Sequence, residues 1–320
     1  MKKFFALLLA AAMMLALCAC GSAEQPSAEK TYTIGICQLI QHAALDAATQ
    51  GFQDAVKEKL GDNVTFLYQN ASGDSATCAT ICSQFVSDEV DLIMANATPA
   101  LQAAAAATNT IPILGTSISH YGTALGIDDW TGSTGVNISG TSDLAPLDGQ
   151  ADMVAALFPD AKVVGLLFCS GEPNSRYQAD VITPLLEAKG LEVKEFTFAD
   201  SNDVAAVTAS ACADCDVLYI PTDNTAASCV EAINNEAEKV NMPIITGEEA
   251  PCAACGVASL TISYYDLGFA TGKMALEILL NGADVSSMEI QFAPDFTKKY
   301  NPAVCERLGV EIPEDYVAIE

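Results

Sequence analysis

Short apolar runs alternate with longer stretches of helical spacing from Thr31 almost to the end of the chain. The short runs are rich in Val, Ile, Leu and Phe and are bounded by Gly, Pro, Asn or Asp, which predicts strands. They cover residues 33–37, 64–69, 92–95, 112–115 and 135–139, then 163–168, 192–198, 217–220, 244–246 and 258–262. The stretches between them are richer in Ala, Glu, Lys and Gln and predict helices. Residues 45–59 place Leu45, Ala48, Phe52, Ala55 and Val56 on one face, and 174–189 and 267–280 are further helices. Strand and helix in alternation specify right-handed βαβ units, hence an α/β fold with parallel sheets covered by helices.

The pattern also repeats. The segment "DLIMANATPALQAA" (91–104) aligns with "DVLYIPTDNTAASC" (216–229): Asp with Asp, then an apolar strand, a Thr-containing polar break and an Ala-rich helix. Further on, "IPIL" (111–114) matches "MPII" (242–245). The offsets, 125 residues from Asp91 to Asp216 and 131 from Ile111 to Met242, keep the two halves nearly in step. Two similar α/β lobes are the economical explanation. Ligands of open parallel sheets sit at the carboxyl ends of the strands, where both polar breaks fall. Lobes that face each other would make these loops opposite walls of a cleft that closes on a hinge.

The first 20 residues follow another plan. Lys2 and Lys3 precede an apolar run, 4–17, too short to span a bilayer and arranged as a secretory signal. It ends in "LCAC" (17–20) and Gly21, which resembles the lipobox of bacterial lipoproteins. Such a signal is cut before the Cys, here after Ala19, and Cys20 carries the lipid. An ordinary secretory signal with an incidental Cys is the alternative. The stretch "GSAEQPSAEK" (21–30) is polar and low in bulk, as a tether should be. About 300 residues remain, enough for two lobes of ordinary domain size. No second apolar run is long enough to cross a membrane, so the expected place is outside the cytoplasm, held to the membrane by lipid.

The net charge of -27, with Arg176 and Arg307 the only arginines, excludes nucleic acid as a partner, because phosphate contacts need Lys and Arg. The 12 cysteines leave more than one reading. Cys18 departs with the signal and Cys20 is acylated. "CADC" (212–215) and "CAAC" (252–255) have CxxC spacing, and Cys78 and Cys82 lie one helical turn apart. Zinc or a redox disulfide fits that spacing. Against zinc, a strand, a helix and another strand separate the pairs. Against redox chemistry, "CADC" precedes a strand rather than opening a helix. The alternative is that these residues act as small apolar side chains.

Six ordered segments carry a resemblance: "IGICQLIQHAALDAATQGFQDAV" (34–56), "NATPALQAA" (96–104), "GTSDLAP" (140–146), "EPNSRYQ" (172–178), "PTDNTAAS" (221–228) and "SYYDLGFATGKMA" (263–275). Together they resemble the ABC-transporter substrate-binding proteins of the tryptophan/tyrosine-uptake type. The resemblance implies a type I periplasmic binding protein fold: two Rossmann-like lobes joined by three crossovers, near 141–143, near 247–262 and after the helix ending near Asn281. The implied division is 1–19 signal, 20–31 lipidated Cys and tether, 32–142 with 264–286 as one lobe, and 143–263 with 287–320 as the other. It also implies an aromatic or other apolar amino acid as ligand, an ABC permease as partner, and a monomer without cofactor. Departures fall at Cys37, where the family usually has Ser, at Ser263, and at the Cys-containing loop "GEEAPCAAC" (247–255).

An amino acid needs donors for its carboxylate, acceptors for its ammonium, and a pocket for its side chain. Thr98 and Ser175 open helices, where a hydroxyl and free amides hold a carboxylate. Asp223 and Glu248 are acids at strand ends suited to the ammonium. Gln38 and Asn224 are placed to bridge ligand or lobes, and Thr116 and Ser117 end a strand in the same way. Tyr264 is placed to pack on an apolar side chain. Asn96, Asp143, Ser170 and Asn174 complete the candidate ligand-binding positions. The bland reading of Asp223, Asn224 and Thr225 is a helix cap, and the two roles are compatible. His42 reads as a helix-entry residue, His120 as a solvated loop residue, Arg176 as a surface residue or a carboxylate partner, and Trp130 as loop packing.

An enzyme needs a nucleophile with an oriented base, or a metal constellation. The chain has no GxSxG, no HExxH, no Walker lysine, and no GxGxxG after the first strand. A binding protein is the expected class. A receptor for a nucleoside or sugar, and an exported redox or metal protein, are the alternatives.

Overall fold

The structure, a computed structural model, describes residues 30–319. The expected signal segment and Cys20 lie outside them. The chain lays down β1 (Tyr32–Gln38), β2 (Val64–Asn70), β3 (Leu92–Asn96), β4 (Ile113–Ile118) and β5 (Ile138–Ser142), then β6 (Val163–Cys169), β7 (Glu192–Phe198), β8 (Val217–Ile220), β9 (Ile244–Thr246) and β10 (Ala258–Thr261). It closes with β11 (Gln291–Phe292), β12 (Thr297–Tyr300) and β13 (Val317–Ala318). The first sheet has the order β11-β5-β4-β3-β1-β2, the second β13-β12-β10-β9-β8-β6-β7. Every pairing is parallel except β10 with β12. Each lobe therefore repeats one doubly wound order, with its topological switch point beside β1 or β6.

The internal repeat extends to individual hydrogen bonds. Asp91 Oδ2 accepts from Thr33 N at 2.8 Å, and Asp216 Oδ2 accepts from Val163 N at 2.9 Å. The same two aspartates donate their own amides to Thr33 O and Val163 O. Ile93 N donates to Pro112 O, and Leu218 N to Pro243 O, both at 2.9 Å. In each lobe, then, an Asp pins the start of the strand next to its own. Central strands such as β3, β4 and β8 are buried along their whole length because helices cover both faces.

The ten expected strands all occur, with three-residue shifts at two of them: β4 runs on to Ile118, and β5 is displaced. β5 begins at Ile138, not at residue 135, because Gly135 turns the chain at φ +70°. β11, β12 and β13 were not foreseen. They have two to four residues and are exposed or half-buried, so no periodicity marks them. The chain passes between sheets three times: at 143–146 after β5, at 262–263 after β10, and at 293–296 after β11. The last passage comes later than the expected division at 286. Val285 and Ile290 are buried with the first-sheet core and carry the chain to Thr141 and Ser142, which pair with Gln291 and Phe292.

The second passage delivers the Tyr264–Asn281 helix back onto the first lobe, against the Ala43–Leu60 helix. Glycines set this contact. A Cβ on Gly268 would lie 1.9 Å from Ala48 O, one on Gly51 2.1 Å from Tyr265 O, and one on Gly272 2.7 Å from Phe52 O. Backbones this close leave no room for a methyl group. Gly268→Ala is expected to lower stability by about 3 kcal/mol through overpacking. Denaturant titration checks this; an unchanged midpoint would show that the helices can part without loss.

Candidate functional site

At the carboxyl ends of the strands the apolar sequence stops, yet burial continues. Asn96, Thr98, Asp143, Asn174, Asp223 and Glu248 are all at most 5% exposed. They come from both lobes. A cavity of about 430 Å³ draws on both lobes, lined by Leu39, Ile40 and Pro99 from the first and by Cys169, Glu172 and Thr225 from the second.

In the first lobe the side chains divide into tied and untied groups. Gln38 donates to Ile40 O at 2.9 Å and Asp46 Oδ1 at 2.7 Å, and accepts from Thr49 Oγ1 at 2.7 Å. Its hydrogen-bonding groups are engaged within its own lobe, so Gln38 props the site rather than bridging it. Asn96 donates to Leu45 O at 2.8 Å and Thr49 Oγ1 at 3.0 Å, which leaves its buried Oδ1 without a partner. Thr98 opens its helix with an unpartnered Oγ1, and Ser117, at φ +56° in an irregularity of β4, has an unpartnered Oγ. Thr116 turns away from this group: its hydroxyl meets Thr141 Oγ1 at 3.2 Å, and Thr141 continues to Thr271 at 2.8 Å.

In the second lobe the organising residue is Glu172, which sequence reasoning passed over. Its carboxylate accepts from Asn224 N and Nδ2 at 3.1 and 2.6 Å, from Thr225 N and Oγ1 at 2.8 and 2.7 Å, and from Asn174 Nδ2 at 3.1 Å. Asp223 accepts from Cys169 N, Ala226 N and Ser175 Oγ, each at 2.7 Å. Asp223 is thus the N-cap of the Asn224–Ser228 helix and a strap to β6. Burial, then the charge of Glu172, pushes its carboxyl up to about 7. Two expectations change. Ser175 donates its hydroxyl to Asp223 instead of holding a carboxylate at a helix end. Ser170 is exposed, and its hydroxyl bonds Phe198 O at 3.2 Å. Asn174 keeps a buried, unpartnered Oδ1.

The connections between lobes supply the remaining groups. Asp143, in the first connection, accepts from Tyr264 Oη at 3.1 Å on one oxygen, while the other is buried and unpartnered. Burial pushes its carboxyl up to about 6. Tyr264 is therefore tied through its hydroxyl as well as packed through its ring. Glu248 carries a buried, unpartnered Oε2; burial, then the charges of Asp143, Asp223 and Glu172, holds its carboxyl well above the usual range.

Among the described residues, side-chain contacts of three kinds cross from lobe to lobe besides Tyr264, which meets Thr222. His42 Nε2 donates to Asn224 Oδ1 at 3.2 Å, Gln178 Nε2 approaches Ser119 Oγ at 3.4 Å, and His120 stacks on Tyr177 with centroids 4.2 Å apart. His42 is at the helix entry, as expected, but its side chain makes no cap and reaches the other lobe instead. His120 is in a loop, as expected, but half-buried: its ring accepts from Thr123 N and lies between Tyr177 and the edge of Trp130. Trp130 packs its loop against Tyr121 and Phe292. Arg176 forms a two-pronged pair with Glu195 at 3.0 and 2.7 Å, an exposed surface role.

The ten described cysteines are free thiols. Cys252 and Cys255 are buried on one helix, and Cys212 and Cys215 are half-buried around a helix end. Burial pushes Cys215 up to about 11 and Cys255 up to about 12, which disfavours the reactive thiolate.

Two doubly wound lobes connected three times, with buried polar groups gathered where they meet, define the type I periplasmic binding protein fold. The profile of the family described as ABC transporter substrate binding protein matches residues 33–319, and this chain belongs to that family. It is 36% identical over 259 residues to a tyrosine-binding protein of Clostridioides difficile, covering 80% of this chain and 75% of that one. Among solved structures, it is similar to an ABC domain from Streptococcus pneumonia in complex with L-Trp, with TM-score 0.85, 31% identity, and coverage of 89% of this chain and 97% of that one. A ligand-free, open substrate-binding protein with adhesive properties from Clostridium difficile gives TM-score 0.69 at 36% identity, covering 91% of this chain and 99% of that one.

Replacing Asp223 tests its structural share. Asp223→Ala strips the cap from one helix and orphans the buried amide of Cys169, with an expected loss of about 2–4 kcal/mol. Calorimetric unfolding of the unliganded protein checks this. A stability equal to the parent would mean that Asp223 serves the ligand alone.

Proposed function

We propose that this chain is an extracytoplasmic receptor, lipid-anchored through Cys20, that captures an aromatic amino acid between its lobes and delivers it to an ABC permease without chemistry of its own. One observation carries the reading. Four buried amide and carboxyl oxygens have no partner: Asn96 Oδ1, Asp143 Oδ1, Asn174 Oδ1 and Glu248 Oε2. All four are acceptors, so they call for a ligand that brings several donors. An α-ammonium brings three N–H groups and a positive charge, and an indole or phenol adds one more donor. The hydroxyls of Thr98 and Ser117, also unpartnered, are the donors available to the carboxylate. A neutral sugar or nucleoside supplies no charge to answer Asp143 and Glu248.

The relatives' ligands, tyrosine and tryptophan, support the choice of an aromatic side chain. The lobes sit as in a closed receptor. The direct contacts of His42, Gln178 and His120 across the cleft support this. So does the weaker likeness to the open relative, despite its higher identity. Closure of this kind presents one surface, drawn from both lobes, to a permease.

L-Tryptophan, L-tyrosine and L-phenylalanine are expected to raise the melting temperature, whereas glycine, glucose and adenosine leave it unchanged. A shift with glucose or adenosine and none with the aromatic amino acids would overturn the reading. The anchor has a separate test. Wild-type protein expressed in a bacterium is expected to partition with membranes and into detergent, and Cys20→Ser to be released. Equal partitioning of the two would remove the lipid from the account.

A further inference from the structure

The four carboxyls of the cleft are unequally provided for. Glu172 accepts five donors and Asp223 accepts three. Asp143 accepts from the Tyr264 hydroxyl on one oxygen, but its Oδ1 and the Oε2 of Glu248 are buried without a partner. Glu248 and Asp143 are 2% and 4% exposed. The charged groups that face Glu248 are Asp143 from beyond β5, Asp223 from beyond β8 and Glu172 from beyond β6, while Tyr264 faces it from the head of the returning helix. None of these is a cation. Carboxylates that face one another in a dry cavity, without a cation, do not all ionise.

We propose that Glu248 holds a proton while the cleft is without ligand and gives it up to solvent when the ligand's α-ammonium arrives between Glu248 and Asp143. The exchange balances. The O–H bond of the Glu248 carboxyl breaks, the proton passes to water, and the resulting carboxylate pairs with the R–NH3+ group, which keeps its own protons. The unpartnered Oε2 becomes an acceptor for that group, and the negative charge that Glu248 acquires is matched by the positive charge of the ammonium. Glu248 thereby selects for the ammonium, since a deaminated analogue cannot replace the departing proton with a positive charge. Capture is also linked to pH. Affinity falls on acidification, by up to about tenfold per pH unit where one whole proton is released. The inference rests on the reading of the site as an amino-acid cleft, and its test has one arm that needs no ligand.

In the free protein, the wild type and Glu248→Gln are melted across a range of pH. A carboxyl whose folded-state value is raised stabilises the fold at pH below its unfolded value of about 4.3, and that contribution is lost as pH rises through the folded value. The wild type should therefore lose stability relative to Glu248→Gln as pH rises above the unfolded value of about 4.3. Parallel curves for the two proteins overturn the proposal. Asp143→Asn is the second variant: removing the strongest neighbouring charge should flatten the same pH dependence.

In the liganded arm, L-tryptophan binding is followed by calorimetry in two buffers of different ionisation enthalpy. Release of close to one proton by the wild type, and of none by Glu248→Gln, supports the exchange. Heats independent of buffer overturn it. Failure of every aromatic amino acid to bind would remove the functional reading, and the melting curves would still decide whether Glu248 holds the proton.

Discussion

The close approach of two backbones, Ala43–Leu60 against Tyr264–Asn281, is the constraint on which the geometry of the cleft depends. The returning helix belongs in sequence to the end of the second lobe and in space to the first. Gly51, Gly268 and Gly272 let it sit against Ala48 and Phe52 almost without intervening side chains. That seating fixes the helix axis, and with it the position of the first residue, Tyr264. Its hydroxyl is then delivered to Asp143, in the neighbouring connection. Ile262, Tyr264 and Leu267 pack with Ala44 and Ala48 in a small apolar cluster of their own, apart from the main cores of the lobes. A loosened helix pair would leave the lobes folded but would misplace the groups between them.

The second lobe solves a different problem. Its wall is made of loops, and loops with buried polar backbone need partners. Glu172 and Asp223 provide them by gathering the amides of residues 169, 224, 225 and 226. These two acids are therefore part of the scaffold, and their neighbours Asn174 and Glu248 present unpartnered atoms to the cleft. The division explains why a site with four carboxyls does not need four counter-charges. Two are held by several hydrogen bonds of the protein's own, while Asp143 and Glu248 each keep one buried oxygen without a partner.

Much of this was legible in the sequence, because repeat and periodicity report on backbone layout. The pairing of Asp91 with Asp216 reflects a shared duty at the start of the neighbouring strand, so the alignment of the two halves had a physical cause. The loop "PTDNTAAS" (221–228) does follow a strand end, and its cap is real. What sequence did not reveal is which lone pairs remain unoccupied once the chain has folded. Gln38 and Ser175 have the right chemistry for a ligand, yet Thr49 and Asp223 take their bonds. Glu172 stood in a quoted motif and was passed over because its five donors come from residues 2 to 53 positions away. The glycines of the helix pair carry a signal of spacing, four residues apart at Gly268 and Gly272, but their partner Gly51 lies on the far side of the sequence. His42 and His120 gave no sign that they would cross the cleft, since that depends on the closed arrangement of two lobes.

On the proposed reading, that arrangement carries a penalty which a ligand removes. In an open cleft the oxygens of Asn96, Asp143, Asn174 and Glu248 are hydrated. Closing without ligand removes that water and leaves four acceptors bare, at about 1–3 kcal/mol each. The contacts that cross the cleft include one hydrogen bond from His42, a long one from Gln178, and the His120–Tyr177 stack. At about 0.5–1.5 kcal/mol apiece they offset only part of the loss. The balance favours the open form until a molecule supplies donors to the bare oxygens, and then each penalty becomes a bond. A proton on Glu248 satisfies no more than one of the four, so it eases the empty closed state without stabilising it. An ammonium reaches several at once and adds charge. Closure is thus conditional on the ligand because the unoccupied acceptors lie where the lobes meet, while the groups that needed internal partners were provided for within each lobe.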